Sequence, residues 1–423
     1  MKLHNLLGCL QYSVLAIGLP LPGIANAIDL PTAVRKTLEN SPQLQRYPFY
    51  IRALDGEAIQ AGLKPNPTLH VDIENVLGTG GSRFLAGTEL TLSLSQLIEI
   101  GNKREKRINI VDQKSAAIQR DYEVKRLDVV ADMMRRFYDA LRLQYLIDWN
   151  KTRIQSEQSA LDVIIRRAQA GVVGQADVMR MQLRLAKSKV KQAELKQQHQ
   201  QALIVLAMHW AASADLEKTE GQLEQVPELP SETMLMSALD QTPDYLLAQA
   251  ETRINHARLS LAQAESQANI TVGGGIRRME AIDDNAFVFN FSMPLQWHNR
   301  NQGNIALAQA QYEEKLANQD ILIRQLELTL GRIRSAMNTR LNQIKRLETE
   351  LQPVASSLLA EIKQGYQLGQ YTVLQWVDAQ DELFSIERDV IESQYAVHMQ
   401  FLELERLSGN SLINTAKAPA HKE

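Results

Sequence analysis

The segment Gly365-Tyr366-Gln367-Leu368-Gly369 interrupts a helical pattern that otherwise extends from Asn299 to Leu407. Before the interruption, apolar residues recur mostly three or four positions apart, which is the period of a helix with one buried face. They are Ile323, Leu326, Leu330, Ile333, Met337, Leu341, Ile344, Leu347, Leu351, Leu358 and Ile362. At ~1.5 Å per residue the arm is on the order of 100 Å long, less any break at Pro353. Such a length is typical of an extended bundle or a coiled-coil tube.

A second stretch of the same design lies between Gly101 and Leu206, with its own interruption at Gly171-Val172-Val173-Gly174. A shift of 198 residues, the difference between 369 and 171, aligns the two interruptions and the residues that follow them. The aligned pairs are Gly171 with Gly369, Gln182 with Gln380, and Leu185 with Leu383. This internal repetition predicts two equivalent halves.

Residues 1–27 have the pattern of a secretory signal peptide. Lys2 precedes an apolar run, and Ala25-Asn26-Ala27 forms a small-x-small cleavage site, so we expect the protein to be exported. The only cysteine, Cys9, lies in this segment, in a sequence faintly similar to a lipoprotein box but with too few residues before it. The mature chain is therefore expected to have neither an intramolecular disulfide nor a thiolate metal site.

Charge and hydropathy narrow the class of protein. A formal charge of −3 gives no indication of a polyanionic partner such as nucleic acid. Beyond the signal peptide no apolar run reaches the ~18 residues that a transmembrane helix requires. Any membrane crossing by this sequence must therefore use strands.

Four short segments alternate apolar and polar residues, which predicts two β-hairpins, at 68–96 and 269–293. A small soluble sheet is the simplest interpretation, but export, strand lengths near the ~9 to 11 residues of a tilted membrane strand, and the adjoining long helices favour membrane strands. Four strands cannot close a barrel, and open edges are not tolerated in lipid, so several protomers must share one barrel.

The predicted organisation follows from these elements. A first repeat spans 28–210 with its helical tip near 171–176, and a connector at 211–232 contains Pro227 and Pro230. A second repeat spans 233–408 with its tip near 365–376. Residues 409–423 form a polar tail that we expect to be mobile.

The combination of signal peptide, two helix-hairpin-helix repeats and connector resembles the outer membrane efflux protein (TolC-like) family over nearly the whole mature chain. Within it the sequence looks most like the CzcC-type cation-efflux branch. The local motifs that support this resemblance are Leu63-Lys64-Pro65-Asn66-Pro67, Gln96-Leu97-Ile98-Glu99-Ile100-Gly101-Asn102-Lys103-Arg104, Met293-Pro294-Leu295 and Asn299-Arg300-Asn301-Gln302-Gly303-Asn304.

The resemblance implies a mainly α-helical chain with membrane β-strands. Three copies form a homotrimer with one twelve-stranded outer-membrane barrel, which a tube of twelve long helices continues into the periplasm. The tips dock on a periplasmic adaptor, which joins the channel to an inner-membrane RND pump. The tip residues expected to dock are Gly171, Val172, Gly174, Gln175, Gly369 and Gln370.

The resemblance also implies a periplasmic gate. The family's tip tyrosine corresponds to Tyr366, its aspartate partner to Asp177, and the second of two aperture aspartates to Asp378. Gln375 stands where the first aspartate is expected, and Tyr371 where a latch arginine is expected. We therefore expect a hydrogen bond from Tyr366 to Asp177, and Asp378 at the constriction. Judged alone, Asp378 would be an acid favoured by the helix dipole.

Other chemistry is not indicated. The eight histidines show no ligand spacing, and Met179 and Met181 are too few for a thioether site, so no tightly bound metal or other cofactor is expected. No catalytic constellation is recognisable, so an enzyme is not predicted. The basic run from Lys103 to Arg107 indicates a solvated helix start beside lipid headgroups rather than a nucleic-acid site.

The leading hypothesis is a passive outer-membrane exit duct for a proton-driven pump that exports heavy-metal cations. One alternative is the same duct serving multidrug efflux or type I protein secretion. A periplasmic coiled-coil adaptor is the weaker alternative, since an adaptor has one helical hairpin flanked by soluble β-domains.

Overall fold

The computed structural model describes residues 27–80, 83–210 and 216–409. Nearly all of the expected signal peptide and of the polar tail lie outside the described residues. The helices are α1 (Leu30–Asn40), α2 (Tyr47–Gly62), α3 (Lys103–Gln169), α4 (Gln175–Ala207), α5 (Glu232–Ser237), α6 (Pro243–Glu265), α7 (Gln302–Arg346), α8 (Gln352–Gln367) and α9 (Val373–Ser408). The strands are β1 (Ala27–Asp29), β2 (Thr68–Glu74), β3 (Glu89–Ile98), β4 (Lys218–Glu220), β5 (Ile270–Met279) and β6 (Asp284–Ser292).

The two hairpins form one antiparallel sheet in the order β2-β3-β5-β6. The hairpins meet at β3 and β5, where Leu92 lies opposite Ile276. Among the described residues, β2 and β6 each pair on one side only, so both edges of the sheet are open. An open edge exposes a row of unpaired backbone N–H and C=O groups.

The register places the apolar side chains of all four strands on one face. Val71 lies opposite Leu92, Ile276 opposite Phe287, and the aromatic side chains of β6 are 67% to 85% exposed. The other face is polar. On it Arg277 contacts Glu74 at 3.1 Å and Glu89 at 2.8 Å, which joins three strands.

Two glycines on the polar face allow the strands to approach each other closely. A Cβ at Gly275 would meet the Leu92 carbonyl oxygen and would lie 2.6 Å from the Cβ of Ser93. A Cβ at Gly273 would meet the Asn290 side chain. Glycine within a strand commonly marks such close approach or a tight bend.

The long helices lie side by side in two layers that follow one another along the helix axes, one next to the sheet and one farther from it. Next to the sheet the order is α2, α3, α6, α7; farther away it is α4, α3, α9, followed by α7 and α8. α3 belongs to both layers because its 67 residues continue without interruption. Within the described residues, none of the helices is long and apolar enough to cross a membrane.

The matching helix of the second repeat is interrupted. Residues Leu347–Leu351 between α7 and α8 form a π-helical segment, followed by Pro353, which has no N–H to donate. A π-turn adds a residue and so rotates the helix face that follows. Leu351 and Leu358 of the predicted apolar stripe are 49% and 44% exposed in the single chain.

The connector is held against the helices where the two layers meet. Its strand β4 pairs with β1 in parallel, and Leu223 is fully buried with Phe137 and Leu141 of α3. His398 of α9 lies 3.1 Å from the Leu223 carbonyl oxygen. The sequence did not predict β1 or β4, which have three residues each.

Candidate functional site

The tips of the two helical hairpins form the candidate site, and each begins with a left-handed glycine. Gly171 follows α3 with a φ of 72°, and Gly369 follows α8 with a φ of 79°. Because glycine has no Cβ atom, it adopts this left-handed conformation without strain. The conformation ends the helix sharply. A Cβ at Gly369 would lie 3.9 Å from the Arg167 guanidinium, so the two tips are neighbours in space.

Tyr366, near the end of α8, is buried between the tips with 2% of its surface exposed. Its ring centroid lies 5.0 Å from that of Trp376 of α9, and the Arg167 guanidinium carbon lies 4.6 Å from the same ring centroid. Arg167 also donates a hydrogen bond to the Tyr366 backbone carbonyl. The second hairpin is thus attached to the first by an arginine that contacts both ring and backbone.

The expected hydrogen bond between Tyr366 and Asp177 is absent from the structure. The Tyr366 hydroxyl has no partner among the described residues. Its pKa is raised chiefly by burial, which the Arg167 charge opposes and the Asp177 charge reinforces. Asp177 is near enough to act through its charge but accepts no bond. Arg167 could not be singled out from sequence, because a basic residue in the last turn of a helix is common for dipole reasons.

Tyr371 and Gly365 form a close contact inside the second tip. A Cβ at Gly365 would overlap the Tyr371 ring, so glycine is required there for the ring to pack. The ring adjoins the cluster that also contains Ile164, Met181 and Trp376. Tyr371, which stands where a latch arginine was expected, therefore packs on its own hairpin.

Gln375 has a local role at the start of α9. Its side-chain oxygen accepts from the Thr372 backbone N–H at 2.9 Å, and its own N–H donates to the Thr372 hydroxyl at 3.3 Å. This reciprocal capping box satisfies two N–H groups that the helix leaves open. Asp378 is exposed in the following turn, beside the buried Val377 and Ala379.

A buried ionic cluster joins three helices above the tips. The carboxylate of Glu157 in α3 is fully buried and contacts Arg153 at 2.9 Å and Arg184 of α4 at 3.1 Å. Asp381 of α9 pairs with both arginines, at 3.0 Å for Arg153. Two arginines and two carboxylates balance in charge, and the bonds connect the first hairpin to the second.

The surface of the tips is partly apolar. Val172, Leu368 and Leu374 are 49% to 69% exposed, and Gln175 and Gln370 are exposed beside them. Gly171, Gly174 and Gly369 are likewise exposed. Exposed apolar residues grouped at one end of a long helical protein are typical of a protein-binding surface.

The described residues do not bring three His, Cys, Asp or Glu side chains together in a group that could hold a metal ion. The two methionines considered from sequence have opposite surroundings, since Met181 is fully buried and Met179 is 60% exposed. They do not form a common thioether site.

The comparisons with known proteins agree with this architecture. The sequence model of the family described as "Outer membrane efflux protein" matches residues 33–212, from α1 to the end of the first helical hairpin. Over these residues the chain is similar in sequence to that family. The resemblance inferred from sequence is therefore confirmed, and with it the location in the outer membrane.

Two curated relatives of this chain are named for resistance to metals. The cobalt-zinc-cadmium resistance protein CzcC of Cupriavidus metallidurans is 25% identical over 335 residues, which cover 78% of each chain. The nickel and cobalt resistance protein CnrC of the same organism is 24% identical over 299 residues, covering 67% of this chain and 68% of that protein.

Solved structures share the fold at lower sequence identity. CusC superposes with a TM-score of 0.75 at 14% identity, covering 94% of this chain and 96% of CusC. The outer membrane protein VceC of Vibrio cholerae gives 0.72 at 17% identity, covering 90% and 96%. A membrane protein of Pseudomonas aeruginosa gives 0.74 at 18% identity, covering 91% of each chain. The matched family and these relatives indicate a channel rather than a catalytic protein.

Proposed function

We propose that three copies of this chain form the outer-membrane channel of a tripartite RND-type efflux system that exports heavy-metal cations. The channel is a passive duct, and an inner-membrane pump supplies the driving force through a periplasmic adaptor. The observation that supports this cargo is the match to two metal-resistance proteins over two thirds or more of the chain. The duct itself is inferred from the sheet and the helical layers.

The trimer is supported by the positions of the free edges. In the sheet and in both helical layers the same chain segments lie outermost, with β2, α2 and α4 at one side and β6, α7 and α8 at the other. Large apolar side chains are exposed along both sides, as on Ile59 and Val190 of the first and Leu328 and Val354 of the second. The two sides differ, so copies associate head to tail, and such contacts close into a ring.

The faces of the sheet support a barrel shared by the three copies. The apolar face is exposed in one copy, and lipid is the environment in which exposed Phe and Leu side chains are stable. Twelve strands arranged head to tail leave no open edge, which is the condition for strands in a bilayer. The polar face with Arg277 then lines the lumen.

The tips are proposed as the adaptor-docking surface and the gate. They lie at the opposite end of the helices from the sheet, and their exposed Val172, Leu368 and Leu374 suit a helical hairpin of the adaptor. Asp378, being exposed near the tip of α9, is proposed to line the constriction. Three symmetry-related carboxylates there would attract cations to a narrow pore.

The decisive experiment is a deletion strain, complemented with the wild-type gene or with empty vector, and tested side by side against cobalt, zinc, cadmium, detergents and antibiotics. We expect the deletion strain to become sensitive to the metal salts and to accumulate the metals. The wild-type gene should restore growth.

Sensitivity to antibiotics or detergents without sensitivity to metals would contradict the proposed cargo and favour multidrug efflux. Loss of a secreted protein from the medium, with unchanged growth on all compounds, would favour type I secretion. Cysteine variants at Gln175 and Gln370 test docking independently, because crosslinks to the adaptor are expected whichever cargo is carried.

A further inference from the structure

A cavity of about 440 Å³ lies where the sheet meets the start of α3. Lys103 lines this cavity and is buried, with 7% of its surface exposed. Its ammonium donates to the Gln267 carbonyl at 2.6 Å and to the Asn269 side-chain oxygen at 2.5 Å. Both acceptors are neutral, and the third N–H of the ammonium has no acceptor among the described residues.

Further cations line the same cavity. Lys64, before β2, and Arg104, in the first turn of α3, both border it, and neither forms an ion pair within the described part of the chain. Of the two carboxylates, Glu99 is paired with Arg107 through two bonds of 2.6 and 2.9 Å. Glu105 accepts from the Asn102 side chain at 2.9 Å.

The charges leave the cavity positive. When the neighbouring Arg107 and Glu265 are counted with the lining residues, four cations face three carboxylates, for a net charge of +1. Burial lowers the pKa of Lys103, a tendency that the charges of Glu99 and Glu265 oppose. An anion in the cavity would balance this excess positive charge and could accept charge-assisted hydrogen bonds from the lining cations.

The position of the cavity indicates the source of the anion. Gln96 and Ile98 border it and belong to the same face of β3 as the exposed Leu90, Leu92 and Leu94. Ile98, Ile100 and Leu63 are 37% to 53% exposed around it. The site thus opens at the edge of the apolar face that is nearest the helices, where the lipid tails of a bilayer end and the headgroups begin.

We propose that this cavity binds the headgroup phosphate of a glycerophospholipid, with Lys64, Lys103 and Arg104 around the phosphate and the acyl chains on the adjoining apolar surface. The second repeat provides an internal comparison. Its corresponding helix start has the same left-handed asparagine, at Asn301 with a φ of 61°, but continues with Gln302-Gly303-Asn304 and lacks the cations. The trimer would hold three such lipids rather than six. The inference rests on the outer-membrane location and not on the exported cargo.

Binding can be measured on the purified mature channel in detergent by native mass spectrometry, with dioctanoyl phosphatidylglycerol as the probe and inorganic phosphate as competitor. The test variant combines Lys64→Gln and Arg104→Gln, both at accessible positions. The matched control is Lys106→Gln, on the same helix turn but not bordering the cavity. We expect saturable binding, weakened at least about tenfold in the test variant, since a tenfold change corresponds to roughly one charge-assisted hydrogen bond.

The control should bind like the wild-type channel, and inorganic phosphate should fail to displace the lipid. Equal binding by wild type and test variant would refute the site. Displacement by inorganic phosphate at the lipid's own concentration would show that the cavity selects a free anion. Unchanged growth on metals in the test variant would leave the proposed cargo intact, because lipid binding and export are separate measurements.

Discussion

The Arg167 guanidinium covers the Tyr366 ring at 4.6 Å and donates to the carbonyl of the same residue. One side chain of the first hairpin therefore holds the tip of the second. A cation over a desolvated aromatic ring contributes about 1 to 2 kcal/mol, and the bond to the carbonyl adds to it. Three such contacts in a trimer would favour the closed state appreciably.

Arg167→Gln is accordingly expected to open the proposed gate, because it removes both the charge and the reach of the side chain. Single-channel conductance in planar bilayers should rise, and cells should admit large antibiotics. Tyr366→Phe is the matched control. Since the Tyr366 hydroxyl has no partner, its removal should leave conductance unchanged. If the conductance of the Tyr366→Phe channel rises while that of the Arg167→Gln channel does not, the Tyr366 hydroxyl is the latch.

Replacing Glu157 should lower the stability of the protein more than replacing an exposed carboxylate that also forms an ion pair. Glu157→Ala leaves Arg153 and Arg184 paired only with the half-exposed Asp381, for which we expect a loss of about 1 to 3 kcal/mol. Glu350→Ala removes an ion pair with Arg346 that is mostly exposed, and should cost less than about 1 kcal/mol. Thermal unfolding of the two purified variants decides between them. Equal melting temperatures would show that the cluster is dispensable.

Glu405 predicts a dependence of stability on pH. It is 7% exposed, and burial raises its pKa from 4.5 to about 7. The folded state therefore holds the proton more tightly than the unfolded state. Its contribution to stability is fully present below pH 4.5 and is lost as the pH rises to about 7.

Glu405→Gln should consequently stabilise the protein by about 2 to 3 kcal/mol at pH 8 and by little at pH 4.5. Melting temperatures of wild type and variant at both values provide the measurement. A stabilisation of the same size at pH 4.5 would mean that it does not arise from the charge of this carboxylate.

The two faces of β6 can be separated by one pair of substitutions. Phe289→Arg places a charge on the proposed lipid face, where about 2 to 4 kcal/mol is lost near the bilayer midplane, so assembly of a heat-sensitive oligomer in the outer membrane should fail. Asn290→Asp on the polar face should assemble normally. If both variants assemble equally well, the faces are wrongly assigned.

The sequence carried most of the information about family and location, because periodicity and duplication are properties of many residues together. Apolar residues three or four apart in the second repeat predicted a long helix, and alternation in Phe287, Phe289 and Phe291 predicted a strand. Such patterns persist when single positions vary. The family and the outer-membrane location that followed from them are confirmed by the comparisons.

The details of the tips were less accessible from sequence. Arg167 and Tyr366 are 199 residues apart, and only the folded chain brings them together. The same holds for Glu157 and Asp381, which Arg184 joins from a third helix. The expected bond between Tyr366 and Asp177 was wrong, since the buried Tyr366 hydroxyl has no hydrogen-bond partner among the described residues. The roles of Asp378, Gln375 and Tyr371 in gating stay predictions.

The π-helical segment Leu347–Leu351 makes the two halves of the duplicated chain mechanically unequal. A continuous α-helix such as α3 resists bending along its whole length, whereas a helix with displaced hydrogen bonds and a proline bends most readily at that point. A pull on the tips would therefore turn α8 about this hinge while α3 stays straight. If the proposed gate opens by bending, the movement would therefore start in the second hairpin of each copy rather than in the first.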